Sequence, residues 1–272
     1  MASIGGELQG MRVARGAQSP PSLRSLGYWI HQYRRTWRGS IFTSFLYPVL
    51  YLAAMGVGLG SLINRHHRLD GVTYLAFIAP GLLASTAMQI GTNESMYPVM
   101  AAIKWIRTYF AMLATPLRGV DVLVGHVVWI VIRLVTVSVI YLGIMWAFGA
   151  VESPLALVAL PAAVLTGLAF TTPIMAFASH QDNDAGFSTL YRFLIVPLFL
   201  FSGTFFPISQ LPGWLQPVAI ATPLYHGVAL CRGLVIGRIG LGPALGHAAY
   251  LGAVTVVGYI FALRGYRRRL VT

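Results

Sequence analysis

Lys104 is the only lysine in the chain, and it follows Ile103. A P-loop needs its lysine directly after a glycine, in the pattern G-x-x-x-x-G-K-[ST], because that ammonium reaches the nucleotide phosphates. The chain therefore holds no P-loop. If it takes part in ATP-driven work, the ATPase is another polypeptide. An S-x-x-K dyad is excluded as well, since residue 101 is Ala. His66 and His67 are adjacent, while His126, His180, His226 and His247 are scattered, which is no zinc spacing. Asp182 and Asp184 could hold a metal as a carboxylate pair, but their polar surroundings read as a solvated turn. Cys231, the single cysteine, can neither close a disulfide within the chain nor build a thiolate metal site alone. No catalytic, cofactor-binding or metal-binding residue is assigned.

Two charges stand out by position. Glu94 lies near one end of an apolar run, and Arg133 lies near the middle of another. Ionisable groups in such places are costly and face a cavity or a partner. The two could pair, although their depths differ by a turn or two. A structural ion pair and a substrate contact both stay open.

The elements that carry these residues follow from composition. The chain is 57% hydrophobic and 10% charged, with mean hydropathy +0.71. A soluble domain carries about a quarter charged residues. This chain has too little polar surface for water and reads as an all-α integral membrane protein. Its net charge of +12 does not point to nucleic acid, because the basic residues gather between apolar runs. No apolar stretch precedes Ser40, so no cleaved signal peptide is expected. Residues 1–21, rich in Gly, Ser, Ala and Pro, are expected to be mobile and cytoplasmic.

A helix crosses the hydrocarbon core in about 20 apolar residues. Six runs qualify, at about 40–63, 74–97, 122–148, 155–178, 187–205 and 243–263. Fourteen basic residues fall on one side of the resulting topology and four on the other. By the positive-inside rule both termini are cytoplasmic. Gly56 and Gly60 form a close-packing signature in the first run, which serves contacts within one chain as well as between two.

Residues 22–38, SLRSLGYWIHQYRRTWR, place Leu23, Leu26, Ile30, Tyr33 and Trp37 at helical spacing, with Arg24, Arg34, Arg35 and Arg38 off that face. This predicts an amphipathic helix lying in the cytoplasmic interface, its arginines among anionic headgroups. Between the fifth and sixth runs stands FSGTFFPISQLPGWLQPVAIATPLYHGVALCRGL, residues 201–234, with prolines at 207, 212, 217 and 223. Each proline ends or kinks a helix. Broken backbone at membrane depth survives only where protein or a water-filled cavity satisfies it. The segment 206–236 is therefore expected to be an external re-entrant hairpin.

With NESMYPVMAAIKWIRTYFAMLATPLRGVDVLVGHVVW at residues 93–129, these stretches resemble the membrane subunits of ABC-2-type exporters, in particular the nodulation-factor (NodJ-like) and daunorubicin-exporter branch. The resemblance covers nearly the whole chain after residue 20. It implies a permease that binds no cofactor itself, paired with a second permease, identical or paralogous, and driven by two cytoplasmic ABC ATPase subunits that hold ATP and Mg²⁺. It implies a coupling segment at 104–121, on which Arg107, Thr108, Tyr109, Met112, Thr115, Pro116 and Arg118 would dock into the ATPase. It also implies an exit gate in the hairpin, carried by Pro207, Pro212, Trp214, Pro223, Tyr225, His226 and Arg232. The family handles drugs, lipids, glycolipids and polysaccharides, and the aromatic, lightly charged spans here suit an amphipathic or hydrophobic substrate. An ion-driven secondary transporter is the alternative. It would call for an internal repeat and for helix breaks at midplane, whereas residues 40–148 and 155–263 show no clear repeat. An intramembrane enzyme would need a nucleophile with its base, which the chain lacks.

Overall fold

The computed structural model describes residues 20–60 and 71–270, and the described chain is built of helices. Expectations for residues 1–19, for the end of the first run at 61–63 and for His66 and His67 lie outside the described residues.

Helix α1 spans Pro21–Tyr51 and runs on as a π-helix over Leu52–Leu59. Pro21 suits the first helical position, where a missing N–H costs nothing. Pro48 lies inside the helix, and the change to π geometry follows it within a turn. The expected division at Gly39, between an interfacial helix at 22–38 and a first span at 40–63, is absent. A single glycine costs a helix only about 1 kcal/mol, too little to end it. Before Gly39, Ser25 lies against the Val122 carbonyl, Trp29 on His126 and Tyr33 on Trp129, so the contacts advance together along two parallel helices.

Helix α2 covers Tyr74–Trp105. It is capped by Thr73, whose side chain accepts from Ala76 N at 3.2 Å. Near its lower end it bends at Met96 and passes through a π turn at Ala101–Trp105. Helix α3 is a single short piece, Thr108–Leu113, and α4 spans Gly119–Ala147. A 3₁₀ turn at Pro154–Val158 leads into α5, Ala159–His180. Helix α6 covers Ala185–Phe201 in three pieces joined by a π turn. Helices α7 (Leu215–Ile220) and α8 (Pro223–Ile236) follow. Helix α9 runs Leu241–Leu270. The chain turns from α8 to α9 at Gly237, whose φ of 77° favours glycine.

Four helical stretches are long and apolar enough to cross a membrane among the described residues, at Tyr74–Trp105, Gly119–Ala147, Pro154–His180 and Leu241–Leu270. Helix α6 is shorter. At 1.5 Å per residue its 17 residues reach about 25 Å, less than the ~30 Å core. It ends at Phe201 rather than at residue 205 as expected.

Helix α5 is the centre of the bundle and packs on α2, α4, α8 and α9. Its approach to α2 depends on Gly91, where a Cβ would collide with the Gly167 carbonyl and the Thr171 hydroxyl. Gly56 and Gly60 face Leu75 and Tyr74 of α2 in the same chain. Large apolar side chains such as Trp146, Val256 and Phe261 point outward, as lipid contact permits.

Candidate functional site

Helix α3 hangs between two abrupt turns. Arg107 precedes it with φ 58°, a left-handed conformation that costs a non-glycine residue about 1–2 kcal/mol. Thr115 closes the other end, its hydroxyl donating to the Met112 carbonyl at 2.6 Å. Tyr109 is the one fully buried residue of this helix. Its hydroxyl lies 2.6 Å from Nδ1 of His126 on α4 and 3.3 Å from the hydroxyl of Tyr266 on α9. The His126 ring stacks on Trp29 of α1, with centroids 3.9 Å apart and planes 13° from parallel. Burial, with the Tyr266 hydroxyl beside it, holds the Tyr109 phenol well above the usual tyrosine range. Trp29 Nε1 and His126 Nε2 are buried with no hydrogen-bond partner among the described residues.

This corrects the expectation that Tyr109 docks outward; it points into the bundle. Thr108 and Met112 also turn inward in part, beside Tyr28 and Ser25 of α1. Arg107, Thr115, Pro116 and Arg118 are exposed. Beside α3 the exposed apolar side chains include Trp105 (57%), Ile106 (66%) and Phe110 (39%). They fell within the expected coupling segment at 104–121, but they were not among the residues assigned to docking there. Their signal was large apolar side chains next to Lys104 and Arg107.

Asp182 accepts from Arg269 at 2.9 Å, and Lys104 lies 3.4 Å from the same oxygen. These two cations hold its carboxyl below the usual aspartate range, the Arg269 hydrogen bond contributing most. The residue considered as half of a metal pair clamps the C-terminal ends of α2 and α9.

Arg133 Nε donates to Glu94 Oε1 at 3.3 Å, and its guanidinium sits 4.8 Å from the Tyr33 ring centroid. The pair left open by sequence is brought together here, and it ties α1, α2 and α4.

At the far end the chain leaves helical geometry after Phe201. Arg232 of α8 takes up the freed backbone. Its Nε donates to the Phe77 carbonyl at 2.9 Å and its terminal nitrogen to the Gly203 and Thr204 carbonyls at 2.7 and 3.2 Å. The guanidinium also lies 3.7 Å from the Phe77 ring centroid. Ser85 and Thr204 hydroxyls meet at 3.0 Å, well down α2 from its Tyr74 start. A cavity of about 350 Å³ opens beside this stem, lined by Phe77, Pro207, Tyr225, Arg232 and Arg238 among others.

Helices α7 and α8 form a helix–turn–helix. Thr222 caps α8 and Pro223 starts it, while Pro212 precedes α7 and Trp214 beside it is exposed. His226 Nδ1 lies 2.8 Å from Nδ1 of His247, and its ring stacks on Tyr250 with centroids 3.9 Å apart. One imidazole of that contact must supply the proton and the other the lone pair. Tyr250 donates to the Ala221 carbonyl at 2.5 Å, in the turn between α7 and α8. Gly227 packs on Thr166, and the Cys231 thiol lies 3.9 Å from the Ala159 carbonyl. Helix α8 thus runs antiparallel to α5, its Pro223 end lying furthest down α5.

A family model described as ABC-2 type transporter matches residues 28–236. Nodulation protein J of Rhizobium leguminosarum bv. viciae is 34% identical over 254 residues, 89% of this chain and 95% of the relative. Nodulation protein J of Rhizobium meliloti (strain 1021) is 31% identical over 255 residues, 89% and 94% of the two chains. Inner membrane transport permease YadH of Escherichia coli (strain K12) is 23% identical over 202 residues, 74% and 77%.

Proposed function

The chain belongs to the ABC-2 type transporter family, and from that membership we propose that it is the permease subunit of an ATP-driven exporter, powered by separate ATPase subunits. The substrate proposed is amphipathic or hydrophobic, drug-, lipid- or glycolipid-like, moved out of the cytoplasm or the inner leaflet. The proposed location is the cell inner membrane with both termini cytoplasmic. The observation that carries the reading beyond membership is the exposed knob of Trp105, Ile106 and Phe110, flanked by Lys104, Arg107 and Arg118. It stands at the end to which the charge count assigns the cytoplasm. An apolar patch with a basic rim in water suits a protein partner. An ion-driven mechanism would need a carboxylate free to load, and Glu94 is already engaged by Arg133.

A second permease is proposed to cover α6. Only Phe187 and Ile195 of that helix are fully buried, while Phe193, Leu194, Val196, Leu200 and Phe201 are exposed. The short helices α7 and α8 are proposed as a re-entrant exit gate, since α8 folds back along α5 and α7 packs on α8. The N-terminal half of α1 keeps Leu23, Ile30 and Trp37 exposed beside its arginines, which suits the lipid headgroup level.

Trp105→Asp and Ile106→Asp together should abolish co-purification of the ATPase while the permease still inserts and melts as the parent does. Unchanged co-purification would overturn the docking assignment. Single cysteines at Thr115 and Gln210, in a Cys231→Ala background, test the topology. Gln210→Cys should react with an impermeant thiol reagent on intact cells and Thr115→Cys should not; the reverse would overturn it.

A further inference from the structure

We infer that the Tyr109–His126 contact is the joint through which movement of α3 enters the membrane bundle. This rests on the reading of the chain as an ATPase-driven permease and adds the residues that would transmit the drive. Helix α3 has six residues and one fully buried side chain. Displacing it must therefore displace Tyr109. The hydroxyl of that one residue touches α4 at 2.6 Å and α9 at 3.3 Å, and the histidine it meets is stacked on α1. Three long helices converge on it.

A greasy contact would not serve as well. Apolar packing is non-directional and lets a short helix roll in place. A hydrogen bond weakens steeply once bent, so a 2.6 Å bond fixes the rotation of α3 against α4. Phenylalanine at all three positions would avoid the cost of burying polar groups, about 1–3 kcal/mol for each one left unpaired. Polar groups at this point provide direction rather than extra stability. The flanking turns agree: the left-handed Arg107 on one side and the exposed Thr115–Pro116 on the other let α3 tilt as one unit about its buried residue.

The test uses the assembled transporter purified with its ATPase, with Trp214→Cys as a reporter on the exposed hairpin in a Cys231→Ala background. The rate of labelling by a maleimide is measured with and without ATP and vanadate. Tyr109→Phe and His126→Phe each keep an aromatic ring and remove the hydrogen bond. In the parent, nucleotide should change the labelling rate. In either variant that response should shrink by roughly three- to tenfold, as loss of about 1 kcal/mol of coupling allows, while ATP is still hydrolysed. The double variant should be no worse than either single one, because both remove the same bond. An undiminished response in either variant, or additive losses in the double, overturns the joint. So does loss of assembly in both single variants, which would make the contact structural alone. A parent that hydrolyses ATP with no change at residue 214, or that carries no ATPase, overturns instead the underlying exporter reading.

Discussion

The molecule carries a histidine–tyrosine cluster at each end, and the two are built in opposite ways. The one at the end proposed to face the cytoplasm, the inner cluster of Tyr109, His126 and Tyr266 with Trp29, is sealed from solvent. The outer one, Tyr225, His226, His247 and Tyr250, is half-buried throughout. Residue types and distances are similar, since each centres on one short contact to a histidine Nδ1, at 2.6 and 2.8 Å. Surroundings differ. The inner histidine is enclosed by α1, α3, α4 and α9, so a lost partner has no water to replace it. The histidines of the second cluster join the α7–α8 pair to α9 where they are only half-buried, so solvent can substitute for a lost partner. The same chemistry therefore makes a fixed joint in one place and an adaptable latch in the other, and burial decides which.

The largest effect is expected where the outer end stops being adaptable. Arg232→Met strands the Phe77, Gly203 and Thr204 carbonyls, and should cost on the order of 3–5 kcal/mol and abolish export, read by thermal melting and transport. A loss below about 1 kcal/mol would mean that the hairpin holds itself and that Arg232 is dispensable. Next, His126→Leu should destabilise by about 2–3 kcal/mol and His247→Leu by less than about 0.5 kcal/mol. Equal losses, or the reverse order, would break the contrast between the clusters.

Glu94→Gln should cost about 1–2 kcal/mol, since the pair with Arg133 is only partly buried. A double variant with Arg133→Met should recover part of that loss. A double variant that simply sums the two losses would show that the pair does not act as a unit. The smallest effect is expected at Asp182→Asn. The aspartate pKa is depressed by Arg269 and Lys104, so its contribution is present above the ordinary carboxylate pKa and fades as pH falls through the lowered one. Parent and variant should differ slightly at neutral pH and converge in acid. A difference that grows in acid would contradict that sign.

Much of the fold was legible in the sequence. The second, third, fourth and sixth spans were found as helices, because about 20 apolar residues in a row have few alternatives in lipid. The proline-broken stretch was legible as short helices for the same reason in reverse. What escaped was the continuity of α1 through Gly39, since one glycine is too weak a signal to place a helix end, and the length of α6, which apolarity alone placed at 187–205. In the segment 104–121 the sequence did not tell which side chains of the short helix α3 turn inward, and Tyr109 is the buried one. A six-residue helix carries fewer than two turns, too little periodicity to say which side turns inward.

Composition by itself determined that the chain reads as a membrane protein, and its single lysine, after Ile103, that the sequence carries no P-loop motif. These are properties of what the chain contains, and folding cannot change them. Only the tertiary structure decided that Tyr109 faces His126, that Glu94 meets Arg133 across 39 positions, and that Arg232 reaches carbonyls 28 to 155 positions away. Those partners lie on different helices or, for Gly203 and Thr204, on the non-helical stretch after α6. Their meeting depends on rotation and depth within the bundle, which packing around α5 sets and local sequence does not encode.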